Sequence, residues 1–136
     1  MAQFHLTAAV LGSPDPRALA RFYQRLLGWR LRDDEDGWAT LRPADGGTGL
    51  SFQLERDHVP PVWPPEPDTQ QMQTHLDLEV DDLEAACALA EEAGARHLGG
   101  HDDPEEVVRV YADPDGHPFC LFVSLTNGSP SPGEPA

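Results

Sequence analysis

Basic side chains and cysteine are scarce in this chain, and long apolar runs are missing. Nine Lys+Arg stand against 24 Asp+Glu in 136 residues, a formal net charge of −15. A surface of that sign repels phosphate backbones and anionic lipid, so nucleic acid and membranes are excluded as partners and cationic ligands are favoured at any cleft. The two cysteines, Cys87 and Cys120, have no CxxC spacing, so neither a redox pair nor a zinc knuckle is signalled. No segment approaches the roughly 20 apolar residues of a membrane helix, and Met1-Ala2-Gln3-Phe4-His5 lacks the basic start of a signal peptide. The expectation is a soluble, cytoplasmic protein.

What is present suffices for one domain with a core, since 39% of the residues are hydrophobic. Phe4 to Leu11 reads as a buried strand, stopped by Ser13-Pro14-Asp15-Pro16, which caps a helix. Leu19, Phe22, Tyr23, Leu26 and Leu27 then recur at spacings of three and four, an amphipathic stripe that Gly28 ends. Arg30 to Asp34, Trp38 to Arg42 and Leu50 to Glu55 read as strands separated by Gly-containing turns.

Residues 58–71 hold Pro60, Pro61, Pro64, Pro65 and Pro67 around Trp63, a stiff extended connector. Beyond it the pattern restarts. Gln73 to Val80 alternates strictly, with Leu76, Leu78 and Val80 on one face and His75, Asp77 and Glu79 on the other. Asp81-Asp82 caps a second helix with Leu83, Ala86, Cys87, Leu89 and Ala90 as its buried stripe, and Gly94 ends it. Strands follow near Arg96 to Gly99, Val107 to Ala112 and Pro118 to Ser124. The order is βαβββ, connector, βαβββ. Asp15 meets Asp82 and Phe52 meets Phe119 at an offset of 67. The expected organisation is a single domain over 1–125, with modules at about 4–57 and 72–125, and a Pro/Ser/Gly-rich tail over 126–136 expected to be disordered.

Three segments carry a resemblance. They are Asp15-Pro16-Arg17-Ala18-Leu19-Ala20-Arg21-Phe22-Tyr23 with Leu26-Leu27-Gly28-Trp29, then His75-Leu76-Asp77-Leu78-Glu79-Val80-Asp81-Asp82-Leu83, and Asp113-Pro114-Asp115-Gly116-His117-Pro118-Phe119. With the module order, they resemble the vicinal oxygen chelate superfamily of glyoxalases, extradiol dioxygenases and bleomycin-resistance proteins. The connector resembles a glyoxalase-like subfamily common in actinobacteria. The likeness implies an α+β fold in which two βαβββ modules form a curled mixed sheet around a concave pocket, with the helices outside. It also implies a homodimer.

In metal-dependent relatives the ligands come from the first and last strand of each module. Carried over by the offset of 67, the four positions are Ala8, Gln53, His75 and Cys120. Ala8 has no donor atom, so no metal or other cofactor is expected. If a divalent ion binds, His75 with Gln53 or Glu55 is the expected set. The pocket is expected to be lined by Ala8, Val10, Ser51, Gln53, Trp63, Asp77, Cys120 and Phe122.

Each candidate has two readings. His75 is a general base or remnant ligand, or a wall histidine bonded to Asp77 or Gln53. Glu55 and Asp77 are bases in a partly dry cup or solvated rim carboxylates. Trp63 is a lid over an aromatic or cationic ligand or a packing anchor. Cys120, with no basic neighbour in view, reads as an inert wall residue rather than a nucleophile. Two functions follow. One is a binder that holds a small cationic or aromatic metabolite or antibiotic. The other is a glyoxalase-like lyase, isomerase or dioxygenase, dependent on metal or using His75 or Glu55 as base.

Overall fold

The computed structural model describes residues 1–125, and the expected tail at 126–136 lies outside the described residues. The chain is α+β and consists of two βαβββ modules, each a four-stranded mixed sheet with one helix on one face. It divides into two compact units between Pro60 and Pro61, inside the proline-rich connector.

The first unit holds β1 (Ala8–Ser13), α1 (Pro16–Leu27), β2 (Arg30–Glu35), β3 (Trp38–Arg42) and β4 (Gly49–Leu54), with sheet order β1-β4-β3-β2. β1 runs parallel to β4, and the other pairs are antiparallel. α1 starts where Asp15 accepts the amide of Ala18, and it stops at Gly28, whose φ of 70° suits glycine. Leu19, Phe22 and Tyr23 of the expected stripe are buried along with Ala20, while Leu26 and Leu27 are half-buried. Tyr23 stacks on Phe52 with centroids 5.8 Å apart, so the helix covers the sheet face that carries Leu11, Leu50 and Phe52. Strand alternation sends Val10, Ser51 and Gln53 to the other face.

The expected strand at Phe4 to Leu11 is corrected to Ala8–Ser13. Phe4 is 97% exposed and Leu6 is also exposed, while Leu11 and Ser13 are buried. Pairing with β4 runs from Gly49 to Leu54, and it is this partner, rather than the apolar content of residues 4–7, that selects the strand.

The second unit repeats the topology with β5 (Leu76–Glu79), α2 (Leu83–Ala93), β6 (Arg96–Asp102), β7 (Glu106–Ala112) and β8 (Pro118–Ser124), in the order β5-β8-β7-β6. Asp82 caps α2 by accepting the Ala85 amide, and Gly94 ends it at φ 115°. Tyr111 stacks on Phe119, centroids 5.9 Å apart, as Tyr23 does on Phe52. The Tyr111 hydroxyl donates to Glu91 of α2 at 2.6 Å. Burial, followed by that bond, pushes the phenol well above its usual range.

The stripe expected on α2 is not buried throughout. Ala90 alone is fully buried, and Leu89 is 38% exposed. Leu83, Ala86 and Cys87 are half-buried. Cys87 is therefore not the fully buried small hydrophobe its alanine neighbours suggest.

Candidate functional site

The site residues can be located from pairing register alone. In the second unit Leu76 pairs with Phe119 and Asp77 with Cys120, whereas in the first unit Leu11 pairs with Phe52 and Gly12 with Gln53. The two first strands are thus offset by 65, not 67. His75 corresponds to Val10, and Asp77 to Gly12. The carry-over of His75 onto Ala8 is corrected accordingly: the connection between first strand and helix cap is two residues longer in the second module.

Residues directly opposite in a ladder share a face. One such row crosses the whole second sheet, from Asp77 on β5 to Cys120 on β8, Val110 on β7 and Gly99 on β6. The next row is Glu79, Phe122, Val108 and His101. Both lie opposite the face that carries Tyr111, Phe119 and Leu121 toward α2. At the far end of the first row, the Trp63 indole rests against Gly99. A Cβ on Gly99 would come within 3.2 Å of the Trp63 ring. Glycine leaves the space the indole occupies.

At the near end, His75, Asp77 and Cys120 come together with their donor atoms all within 4.8 Å of one another. His75 Nε2 lies 3.2 Å from Asp77 Oδ1. Burial is the main cause that lifts the Cys120 thiol from its usual 9.0 to about 11, and the Asp77 charge and hydrogen bond add to it. At neutral pH Cys120 therefore keeps its proton, its S–H hydrogen-bonded to the Asp77 carboxylate, which disfavours the reactive thiolate.

Gln53 and Glu55 belong to the first unit. Gln53 is exposed between Gly12 and Trp38 in register. Glu55, just past β4, lies beside Gly12 and its amide donates to the Ser13 carbonyl. Val10 is 50% exposed, Ala8 is half-buried, and Ser51 is buried. The segment expected as a solvated loop at His101 is instead the end of β6, where the exposed His101 Nε2 lies 3.3 Å from Asp103 and 3.8 Å from Glu106. His117 sits in its turn against buried Asp113 at 2.9 Å. A separate cleft of about 720 Å³ in this unit lies on the helix side, lined by Cys87, Glu91, His97, Arg109 and Tyr111 among others.

A family model described as the glyoxalase-like domain matches residues 8–122. The chain belongs to that family. It is accordingly a member of the vicinal oxygen chelate superfamily. Among solved structures, a glyoxalase/bleomycin resistance protein/dioxygenase family enzyme from Burkholderia phytofirmans PsJN is 16% identical, with a TM-score of 0.72 over 90% of this chain and 100% of its own. A glyoxalase/bleomycin resistance protein/dioxygenase from Nocardioides is 19% identical, with a TM-score of 0.65 over 100% and 92%. TnmS3, an antibiotic-binding protein from Streptomyces sp. CB03234, is 25% identical, with a TM-score of 0.63 over 91% and 98%. No curated protein matches the chain.

Glyoxalase-like folds often hold a divalent metal, and the donors here fit one by type. An imidazole, a carboxylate and a thiol form a borderline set suited to zinc, provided the thiol gives up its proton. The expectation of an incomplete set rested on Ala8, which has no donor atom; Asp77, outside the four carried-over positions, lies with His75 and Cys120 instead. His75, Asp77 and Cys120 would hold the ion, which would supply Lewis-acid polarisation of a ligand oxygen.

Proposed function

We propose that this glyoxalase-like protein binds a small cationic, aromatic molecule on the face of its second sheet opposite α2 and releases it unchanged. The observation that carries this reading is the row from Asp77 to Gly99. Exposed carboxylates of Asp77 and Glu79 stand at one end, and the Trp63 indole stands at the other. Three strand spacings, about 14 Å in all, separate them, which is the length of a fused-ring drug with a charged arm. Phe122 is half-buried, and Val108 and Val110 lie buried in the same two rows, an apolar stretch between a cation anchor and an aromatic platform. The net charge of −15 steers cations toward the molecule. The antibiotic-binding description of TnmS3 is in keeping with such a ligand. We also propose that the protein pairs as a homodimer, as its family resemblance implies, and works in the cytoplasm.

Thermal denaturation with ethidium and acriflavine as probes tests it. Saturable stabilisation is expected, rising to about 2.7 kcal/mol at a hundredfold excess over Kd. It should be lost in Trp63→Ala and in Asp77→Asn, with the probe recovered intact by mass spectrometry. Stabilisation that survives both substitutions would overturn the assignment.

The clustering of His75, Asp77 and Cys120 favours a second reading, a zinc-dependent enzyme. Elemental analysis of protein purified without chelators separates the two. Near-stoichiometric zinc that disappears in His75→Ala would bring the enzyme forward.

A further inference from the structure

A second site is suggested by charge that the first unit leaves unpaired. The nine basic residues are all arginine, and six of them lie between positions 17 and 42. Arg17 is bonded to Asp34 and Asp36, Arg21 is paired with Asp34, and in the other unit Arg109 is paired with Asp102. Arg30, Arg32 and Arg42 differ: among the described residues none of the three is paired with a carboxylate.

Their placement makes this costly. Arg30 and Arg42 are directly opposite on β2 and β3, where like charges destabilise a ladder. The register shifts between Leu31 and Asp33, so Arg32 is the extra residue of a bulge, a device that re-aims a side chain. All three arginines line one cleft of about 400 Å³, together with His5 and Thr7. The nearby carboxylates are engaged elsewhere. Asp33 accepts the Thr40 hydroxyl at 2.7 Å, and Asp45 accepts the Gly47 amide at 2.8 Å. Asp45 lines the adjoining hollow, but among the described residues it forms no ion pair with the three arginines, which leaves their charge for an external anion. An adjoining hollow of about 610 Å³ shares Arg30, Arg42 and Pro43 and adds Trp29.

We infer that the Arg30–Arg32–Arg42 cleft binds a small oxyanion, phosphate or carboxylate, whose apolar body lies against Trp29 and Pro43. Guanidinium forks match both oxyanions through paired N–H bonds, and an anion between Arg30 and Arg42 turns their repulsion into attraction. This site lies in the first unit and does not depend on the ligand proposed for the second.

The test is calorimetric titration with phenyl phosphate and, separately, 2-naphthoate, at a constant ionic strength of about 0.15 M, where distant charges are screened. Saturable binding of at least one probe is expected, and the stronger arm identifies phosphate or carboxylate as the head group. Arg30→Gln combined with Arg42→Gln should weaken binding at least tenfold, while Arg96→Gln in the other unit should leave it unchanged. If the double variant fails to fold, NMR of the arginine Nε–Hε groups in the unaltered protein decides. Shifts confined to Arg30, Arg32 and Arg42 support the site, and shifts elsewhere overturn it. Absence of saturable binding by both probes, or full binding in the double variant, also overturns it.

Discussion

At the scale of single residues, the chemistry concentrates in Asp77 and Cys120 on two adjacent strands and in His75, just before β5. Asp77 is the hub, since it meets the His75 imidazole and accepts the Cys120 S–H hydrogen bond. Asp77→Asn should lower the Cys120 pKa from about 11 but leave it above the usual value, because burial is the larger cause and survives the change. The pH profile of iodoacetamide alkylation in a Cys87→Ala background measures this, and a profile that does not move would remove Asp77 from the thiol's surroundings. The linkage has a definite sign. A thiol whose folded value is raised contributes stability below about 9, and that contribution is lost as pH climbs toward 11. His75, Asp77 and Cys120 were all legible as candidates, because strict alternation over 73–80 puts the polar residues on one face. Asp77 was one of two partners the sequence offered for His75, but the contact with Cys120 was not legible, since it depends on which residue of β8 stands opposite Asp77.

At the scale of elements, caps and stripes named both helices, but only one is deeply seated. α1 buries Leu19, Ala20, Phe22 and Tyr23, whereas α2 fully buries Ala90 alone. Packing supplies most of a helix's stability, so the amides of α2 should exchange with solvent faster than those of α1. Removal of the cap in Asp82→Ala costs about 1 kcal/mol, which should speed α2 exchange about fivefold. Hydrogen exchange read by mass spectrometry checks both statements, and equal protection of the two helices would contradict the burial argument. Strand edges were less legible than helix ends. A helix carries its own stop signals, as at Asp15 and Gly28, while β1 takes its limits from β4.

At the scale of the whole molecule, the acidic balance is the dominant physical fact. A net charge of −15 on 136 residues opposes compaction through self-repulsion. Raising NaCl from about 20 mM to about 300 mM should therefore stabilise the fold by about 1 kcal/mol, or ~3–5 °C in melting temperature. A falling melting temperature would mean that pairs such as Arg17 with Asp34 outweigh the repulsion. The modular plan was legible from the restart of the pattern after the connector, though the exact correspondence between modules was not. In terms of descent, the halves differ by two codons between first strand and helix cap. A sheet tolerates even numbers, because a slide by two moves side chains along a face, whereas a slide by one carries them through it. The alternation pattern cannot register such a change. Its outcome is an unequal division of labour within one repeated frame. The later half has imidazole and carboxylate where the earlier half has Val10 and Gly12, so the paired donors belong to one half and the arginine cleft to the other.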